Sequence, residues 1–169
     1  MSDAGPKRVF VSLGANLGDR HAYLHAARQG LSALAGTSVV AASRVYETSP
    51  QGLADQPAFL NQVLCLETDL APGELLAACL AIEDAAGRER AVRFGPRTID
   101  VDILLFEGVT SDDPELTLPH PRMWQRAFVL APLAEIWSYG RGMLTVDVAA
   151  LAAGLTRTQQ IAVASAADE

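Results

Sequence analysis

The sequence has almost no lysine. Of its 169 residues, 13 are lysine or arginine and 20 are aspartate or glutamate, and Lys7 is the only lysine. The formal net charge is −7. This charge argues against broad binding to nucleic acid backbones, because positive charge supplies most of that affinity. We therefore expect no nucleic acid partner.

Cysteines are also few, and long apolar runs are absent. Cys65 and Cys79 have neither zinc-site nor Cys-x-x-Cys spacing, so we expect two buried free thiols in a reducing cytoplasm. No run approaches ~18 consecutive apolar residues, and residues 1–6 lack the regions of a signal peptide, so no membrane partner is expected. We expect a monomer with one domain over residues 1–169, flexible at 1–7 and from about 160 to 169.

Two acids in an apolar strand are the most informative feature. Asp100 and Asp102 alternate with Ile99, Val101 and Ile103. Side chains two apart on a strand share a face and lie roughly 6.6 Å apart, from a rise of ~3.3 Å per residue. An isolated Asp-x-Asp pair often lies on a solvated loop, but these apolar neighbours favour a site. Because two buried carboxylates repel unless cations hold them together, the pair predicts bound divalent metal.

A cluster of arginines directly precedes this strand. The ten residues 88–97 contain one acid, Glu89, and four arginines, Arg88, Arg90, Arg93 and Arg97. A charge run is usually a solvated loop, but arginines beside metal-ready carboxylates are typical of phosphoryl transfer. The sequence has no Gly-x-x-x-x-Gly-Lys-Ser/Thr motif, so any nucleotide must be held outside a P-loop.

Hydrophobic periodicity and turn residues predict the order of the elements. The predicted elements are strand 9–13, helix 20–35, strands 38–46 and 59–68, helix 72–86, strand 97–106, strand 116–118, and helices near 122–127 and within 146–155. We predict that Asp19 caps the first helix and that Gly14 and Gly18 shape a turn before it. The predicted fold class is α+β, with a ferredoxin-like βαββαβ core, helices packed on an antiparallel sheet, and C-terminal helical additions.

Segments from about residue 9 to residue 136 resemble one enzyme family. The segments are Ser12–Asp19, Ser43–Pro50, Gln56–Asn61, Ile82–Glu83, Gly87–Arg90, Gly95–Asp102, Pro119–His120, Arg126 and Phe128–Leu130. Together they resemble the 6-hydroxymethyl-7,8-dihydropterin pyrophosphokinases of folate biosynthesis. The resemblance implies that ATP, as co-substrate, donates its terminal diphosphate to the hydroxymethyl group of the pterin and leaves as AMP.

The resemblance also implies a role for individual residues. Asp100 and Asp102 would ligate two Mg²⁺ ions and act in catalysis together with Arg88 and Arg97. Glu83, Arg90, Ile103, His120 and Arg126 would contact ATP. Thr48, Pro50, Phe59, Asn61 and Phe128 would bind the pterin, with the two phenylalanine rings stacked on it. By default the two phenylalanines are core residues, and only the resemblance makes them ring stackers.

Two other functions and one mechanistic question stay open at this point. One rival is a non-catalytic ferredoxin-like module that binds a small molecule or RNA, and the other is an ordinary metal-dependent kinase. Neither residues nor spacing identify a general base. We predict that the loops 47–57 and 88–95 close over bound nucleotide.

Overall fold

A computed structural model describes residues 5–48, 58–87 and 99–164. The strands and α-helices in chain order are β1 (Lys7–Ala15), α1 (Arg20–Ser32), β2 (Thr37–Ala42), β3 (Tyr46–Thr48), β4 (Phe59–Thr68), α2 (Pro72–Ala85), β5 (Asp100–Phe106), β6 (Ser111–Asp113), β7 (Leu116–Leu118), α3 (Ala127–Glu135), α4 (Val148–Thr156) and β8 (Ile161–Val163). Two short 3-10 turns, Met123–Gln125 and Trp137–Gly140, lie on either side of α3.

The main sheet has the topology that the sequence predicts. Its strand order is β5-β1-β4-β3-β8, and β2 also pairs with β4. All of these pairs are antiparallel. Because β4 lies between β1 and β2, and α1 connects those two strands, the arrangement is the split βαβ unit of a ferredoxin-like fold. The predicted α+β class and its core are confirmed.

Helices cover both faces of the sheet. Val9, Val11 and Leu13 of β1 pack in one apolar cluster with residues of α1 and α2. Phe10, between them in sequence, packs in a second cluster with residues of α3 and α4. Successive strand residues point to opposite faces, so β1 is buried on both sides. This position explains its almost continuous apolar sequence.

The first two helices begin where the sequence predicts. The carboxylate of Asp19 accepts a hydrogen bond from the Ala22 amide at 3.1 Å, which caps α1. Pro72 is the first residue of α2, where its missing N–H costs nothing. α1 ends at Ser32, three residues before the predicted boundary, and the chain then turns through Gly36 at φ 63°.

The predicted strand 38–46 is two strands in the structure. β2 ends at Ala42 and β3 begins at Tyr46, and both pair with β4. Between them the Ser43 hydroxyl accepts a hydrogen bond from the Val63 amide at 3.0 Å. A side chain thus takes the place of a backbone acceptor, which lets the chain leave the ladder and return to it.

The helix predicted near 122–127 is wrong. Met123–Gln125 form a 3-10 turn, Arg126 is extended, and the α-helix begins only at Ala127. The sequence hides α3 because the helix is apolar on most sides and contains Pro132. A proline inside a helix has no N–H to donate to the carbonyl four residues earlier, here that of Phe128, and the residue is therefore typical of helix ends.

The C-terminal additions are partly as predicted. α4 lies within the predicted range 146–155 except for its last residue. Ile161–Val163 fall in a segment predicted to be flexible, yet they form β8 and pair with Tyr46–Thr48. β3 would otherwise leave an unpaired sheet edge, and β8 covers it.

Both cysteines are buried and free, as predicted. Burial raises the pKa of each thiol to about 12. Among the described residues, no helix is both long enough and apolar enough to span a membrane.

Candidate active site

One row of paired residues crosses the sheet on the side covered by α3. Asp100 of β5 pairs with Gly14 of β1, Gly14 pairs with Asn61 of β4, and Asn61 pairs with Tyr46 of β3. The row lies on the same face as Phe10, which packs in the α3 cluster. Neighbouring strands are about 4.8 Å apart, so the backbones of Asp100 and Asn61 are separated by about 10 Å. The row therefore places a charged end, at Asp100, and an amide end, at Asn61, on one surface of the sheet.

The charged end contains the two predicted acids. Asp100 and Asp102 are half-buried on one face of β5, and Val101 between them is buried on the other. Glu83 of α2 is also buried, and its carboxylate accepts the Val101 amide at 2.8 Å. Glu83, predicted to contact ATP, thus bonds the strand between the two acids. This bond holds the backbone from which both acids project.

The described residues contain no group of three or more histidine, cysteine or acidic side chains placed to hold a metal ion. Two carboxylates alone suit Mg²⁺, which usually keeps several waters and takes one or two protein carboxylates together with substrate phosphates. The donor set at Asp100 and Asp102 therefore fits that ion when a phosphate ligand is also present.

Arg126 lies beside the acids. It has extended backbone angles, φ −118° and ψ 109°, between the 3-10 turn and α3. Burial lowers the pKa of its guanidinium, and the nearby Asp102 and Asp100 oppose that shift. Its guanidinium carbon lies 5.4 Å from the centre of the Phe128 ring, which is a cation–π distance. The arginine thus connects the acids with an aromatic ring on the same helix end.

His120 is held next to Arg126 as a neutral imidazole. Its amide donates to the Leu104 carbonyl of β5 at 2.9 Å, and its Nδ1 accepts from the Arg122 amide at 3.2 Å. Burial, together with the charges of Arg126 and Arg122, lowers the pKa of His120 to about 4. With Nδ1 an acceptor, the proton of the neutral ring is on Nε2. His120 can therefore donate one hydrogen bond to a ligand oxygen or nitrogen.

Four of the predicted pterin residues lie at or near the amide end of the row. Asn61 is buried and its Nδ2 donates to the Thr48 hydroxyl at 2.8 Å. Phe59, two residues earlier on β4, lies on the same face of the sheet as Asn61. Phe128 packs against the α3 cluster on that side. Two aromatic rings and an oriented amide suit a flat polar heterocycle.

The prediction that Gly14 shapes a turn is wrong, because Gly14 lies inside β1. A Cβ at this position would lie 3.1 Å from Asn61 Oδ1 and 3.8 Å from Phe59 Cδ1. The missing side chain therefore makes room for Asn61, whereas the distance to Phe59 would be an ordinary contact. Gly18, at φ 69°, is in the predicted turn. The sequence offers no signal for Gly14 beyond its position within an apolar run.

Ile103 is placed differently from the other predicted ATP residues. Its side chain is buried in the α1–α2 cluster, so only its backbone is left for a nucleotide contact. Four predicted residues lie outside the described ranges, and these are Arg88, Arg90, Arg97 and Pro50. Most of the two predicted closing loops, 47–57 and 88–95, lies there too.

The described ends of the first of these loops are joined by one side chain. Arg20, the first residue of α1, contacts the Glu47 carboxylate at 2.9 Å. The same guanidinium nitrogen donates to the Ala58 carbonyl at 2.9 Å. Arg20 thus connects the end of β3 with the residue before β4, next to Thr48 and Phe59.

Comparison with known proteins gives a consistent result. A family model described as 7,8-dihydro-6-hydroxymethylpterin-pyrophosphokinase (HPPK) matches residues 10–138. A protein of Methylorubrum extorquens named 2-amino-4-hydroxy-6-hydroxymethyldihydropteridine pyrophosphokinase is 49% identical over 129 residues, 76% of this chain and 82% of the relative. A Bacillus subtilis protein of the same name is 49% identical over 128 residues, 76% of this chain and 77% of that relative.

Solved structures show the same fold. A crystal structure of Plasmodium falciparum HPPK-DHPS with pteroate aligns with a TM-score of 0.68 and 15% identity. The alignment covers 93% of this chain but 44% of the Plasmodium chain, so this chain spans less than half of that protein. Since 93% exceeds the 76% matched in sequence, the shared fold extends beyond the part of the chain that is similar in sequence.

Proposed function

The chain belongs to the 7,8-dihydro-6-hydroxymethylpterin-pyrophosphokinase family, and from this we propose which residues carry its reaction. The reaction transfers a pyrophosphate group from ATP to hydroxymethyldihydropterin in folate synthesis. The observation that carries the proposal is the cross-strand row from Asp100 to Asn61. It offers a nucleotide end and a pterin end on one face, about 10 Å apart.

At the nucleotide end, Asp100 and Asp102 hold two Mg²⁺ ions. When bound, the ions supply charge neutralisation and a template for the phosphate oxygens. The half-buried carboxylates project from a strand that Glu83 holds through the Val101 amide, and this supports their use as fixed ligands. Because the two carboxylates are already fixed, they need not reorganise as charge develops on the phosphates during transfer.

Arg126 and His120 bind the triphosphate or the adenosine beside the acids. A guanidinium complements phosphate oxygens and the charge that builds up during transfer. The neutral imidazole adds one donor from Nε2 and no charge, as its pKa of about 4 indicates. By resemblance alone we assign Arg88, Arg90 and Arg97 to the same nucleotide. Ile103 would contribute through its backbone.

At the pterin end, Phe59 and Phe128 stack on the ring and Asn61 bonds its polar edge. Because Asn61 donates to Thr48, its amide is oriented before any ligand arrives. Pro50 joins this subsite by resemblance alone. We assign catalysis chiefly to positioning and charge neutralisation.

The test is a product analysis with ATP, Mg²⁺ and 6-hydroxymethyl-7,8-dihydropterin. AMP is the expected product, whereas ADP would indicate an ordinary kinase and no turnover a binding module. Asp102→Asn should lower turnover by at least about 100-fold and change pterin affinity less than about twofold. Asp112→Asn, at an exposed acid on β6, is the matched control. Near-normal turnover of Asp102→Asn would rule out the metal assignment.

We also propose that the chain is a single domain acting as a monomer in the cytoplasm. The two buried free thiols support a reducing compartment. The large apolar side chains that are exposed lie on separate elements, for example Leu80 on α2 and Leu151 on α4. Such dispersion is normal for a surface without a permanent partner.

A further inference from the structure

Gln159 bonds the backbone on both sides of Arg126. It lies between α4 and β8, and its Oε1 accepts the Ala127 amide at 2.8 Å. Its Nε2 donates to the Gln125 carbonyl at 2.9 Å. One side-chain amide, more than thirty residues away in sequence, therefore holds the peptide groups that flank a single arginine.

Arg126 depends on such a support because of its local backbone. It is the extended residue between a 3-10 turn and α3, and its own side chain does not cap the helix. The amides of a helix's first turn have no partner within the helix, and an unpaired buried amide is costly. Ala127 is 2% exposed, so water cannot readily replace Gln159 as the acceptor for the Ala127 amide, whereas the bond to the Gln125 carbonyl is exposed.

Gln159 is itself held at both ends. Its backbone N–H donates to the Leu155 carbonyl of α4 at 3.0 Å. After it, β8 pairs with β3, and the Ala164 amide donates to the Val45 carbonyl at 2.8 Å. The glutamine is thus fixed between a helix and a strand of the main sheet. It lies beyond residues 10–138, which the family model matches.

We propose that Gln159 is a positioning residue that fixes the Arg126 backbone, and hence the direction in which the guanidinium meets the ATP phosphates. This inference rests on the proposed function of Arg126. If the side-chain amide of Gln159 is lost, the Ala127 amide and the Gln125 carbonyl lose their partners. The Arg126 backbone is then held only by its own bonds, from its amide to the Met123 carbonyl and from the first turn of α3 to its carbonyl, and its angles become less tightly fixed. The guanidinium then spends less time beside Asp100 and Asp102.

The test uses the full chain and four variants. Gln159→Met keeps the length of the side chain and removes both hydrogen bonds. Gln160→Met is the matched control, since Gln160 is the exposed neighbour. Arg126→Ala and the double variant Arg126→Ala with Gln159→Met complete a double-mutant cycle. We expect Gln159→Met to lower kcat/KM for ATP by about 5- to 20-fold, because a less well directed guanidinium stabilises the transition state less. We expect Gln160→Met to stay within about twofold of the wild type.

The cycle separates a positioning role from a merely structural one. In the Arg126→Ala background, Gln159→Met should cost less than about twofold, because the group it positions is gone. An equal loss in both backgrounds would overturn the inference, and so would a Gln159→Met variant that behaves like Gln160→Met. If Arg126→Ala itself retains wild-type kcat/KM for ATP, the proposed role of Arg126 fails, and the inference fails with it.

A folding control keeps the result interpretable. Thermal unfolding of each variant should show one cooperative transition, with the Tm of Gln159→Met lowered by less than about 10 °C because it leaves the Ala127 amide unpaired. If Gln159→Met does not fold, Gln159→Glu replaces it in the cycle. That variant keeps an acceptor for the Ala127 amide, removes the donor to Gln125 and adds a negative charge. Gln160→Glu, at the exposed neighbour, then becomes the matched control. In the double-mutant cycle with Gln159→Glu, an equal loss in both backgrounds or behaviour like the control variant would again overturn the inference.

Discussion

Gly14→Ala tests whether the bare backbone of β1 shapes the pterin end of the site. The new Cβ would lie 3.1 Å from Asn61 Oδ1, whereas ordinary contacts begin at 3.4 Å. Asn61 must therefore move by 3.4 − 3.1 = 0.3 Å. Because β4 lies between β1 and β3, the movement pushes Asn61 towards Thr48, to which it is already bonded at 2.8 Å. We expect the Asn61 amide to relieve this contact by rotating.

The rotation has a predictable cost. An off-rotamer side chain costs about 0.5–1.5 kcal/mol, and a neutral hydrogen bond contributes a similar amount. If Asn61 loses one bond to the pterin, affinity should fall by about 2- to 10-fold. Isothermal titration calorimetry with 6-hydroxymethylpterin measures this loss. Affinity for ATP, whose proposed site is at the Asp100 end, should stay unchanged.

Two controls isolate the contact. Gly73→Ala adds the same methyl group on α2, where nothing lies within 4 Å of the new Cβ, and should leave pterin affinity unchanged. In an Asn61→Ala background, Gly14→Ala should have no further effect, because the atom it presses on is absent. Wild-type pterin affinity of Gly14→Ala would refute the reasoning. An equal loss in Gly73→Ala or in the Asn61→Ala background would refute it as well.

Two further predictions concern titrating groups. The pKa of His120 is lowered to about 4, so the unfolded chain takes up a proton below pH 6.5 that the folded chain refuses. The free energy of unfolding should therefore fall as the pH drops from 6.5 to 4, and chemical denaturation should show a shallower fall for His120→Asn; equal slopes would contradict the shift. Cys65 and Cys79 are buried with pKa values raised to about 12, so neither should react with a thiol-specific disulfide reagent at pH 8 before unfolding. Rapid labelling of the native protein would show that a thiol is accessible.

The sequence predicts those elements whose pattern is local. β5 follows from acids alternating with apolar residues, and α1 from its Asp19 cap and regular apolar spacing. The metal-ready pair follows from the same alternation. The roles of Phe59 and Phe128 came only from the family resemblance, because an aromatic residue in an apolar segment is a core residue by default.

What the sequence misses depends on contacts between distant segments. Gly14 matters because Asn61 of another strand approaches it, and a glycine in a sequence does not reveal what lies opposite. α3 was missed because its apolar residues surround the helix and leave no period to read. The sequence does not predict β8, because a segment of only three apolar residues becomes a strand only when an exposed edge is available to it.

The importance of Arg126 can be predicted from the sequence, but the residue that holds its backbone cannot. Its guanidinium chemistry is a property of the residue, so a family motif can carry it. Its direction is a property of the backbone, set by the 3-10 turn before it and the helix after it. That backbone is bonded by Gln159, which lies beyond residues 10–138, the part of the chain that the family model matches. A site of this kind tolerates sequence change in the supporting segment only where some side chain still presents an acceptor to Ala127 and a donor to Gln125.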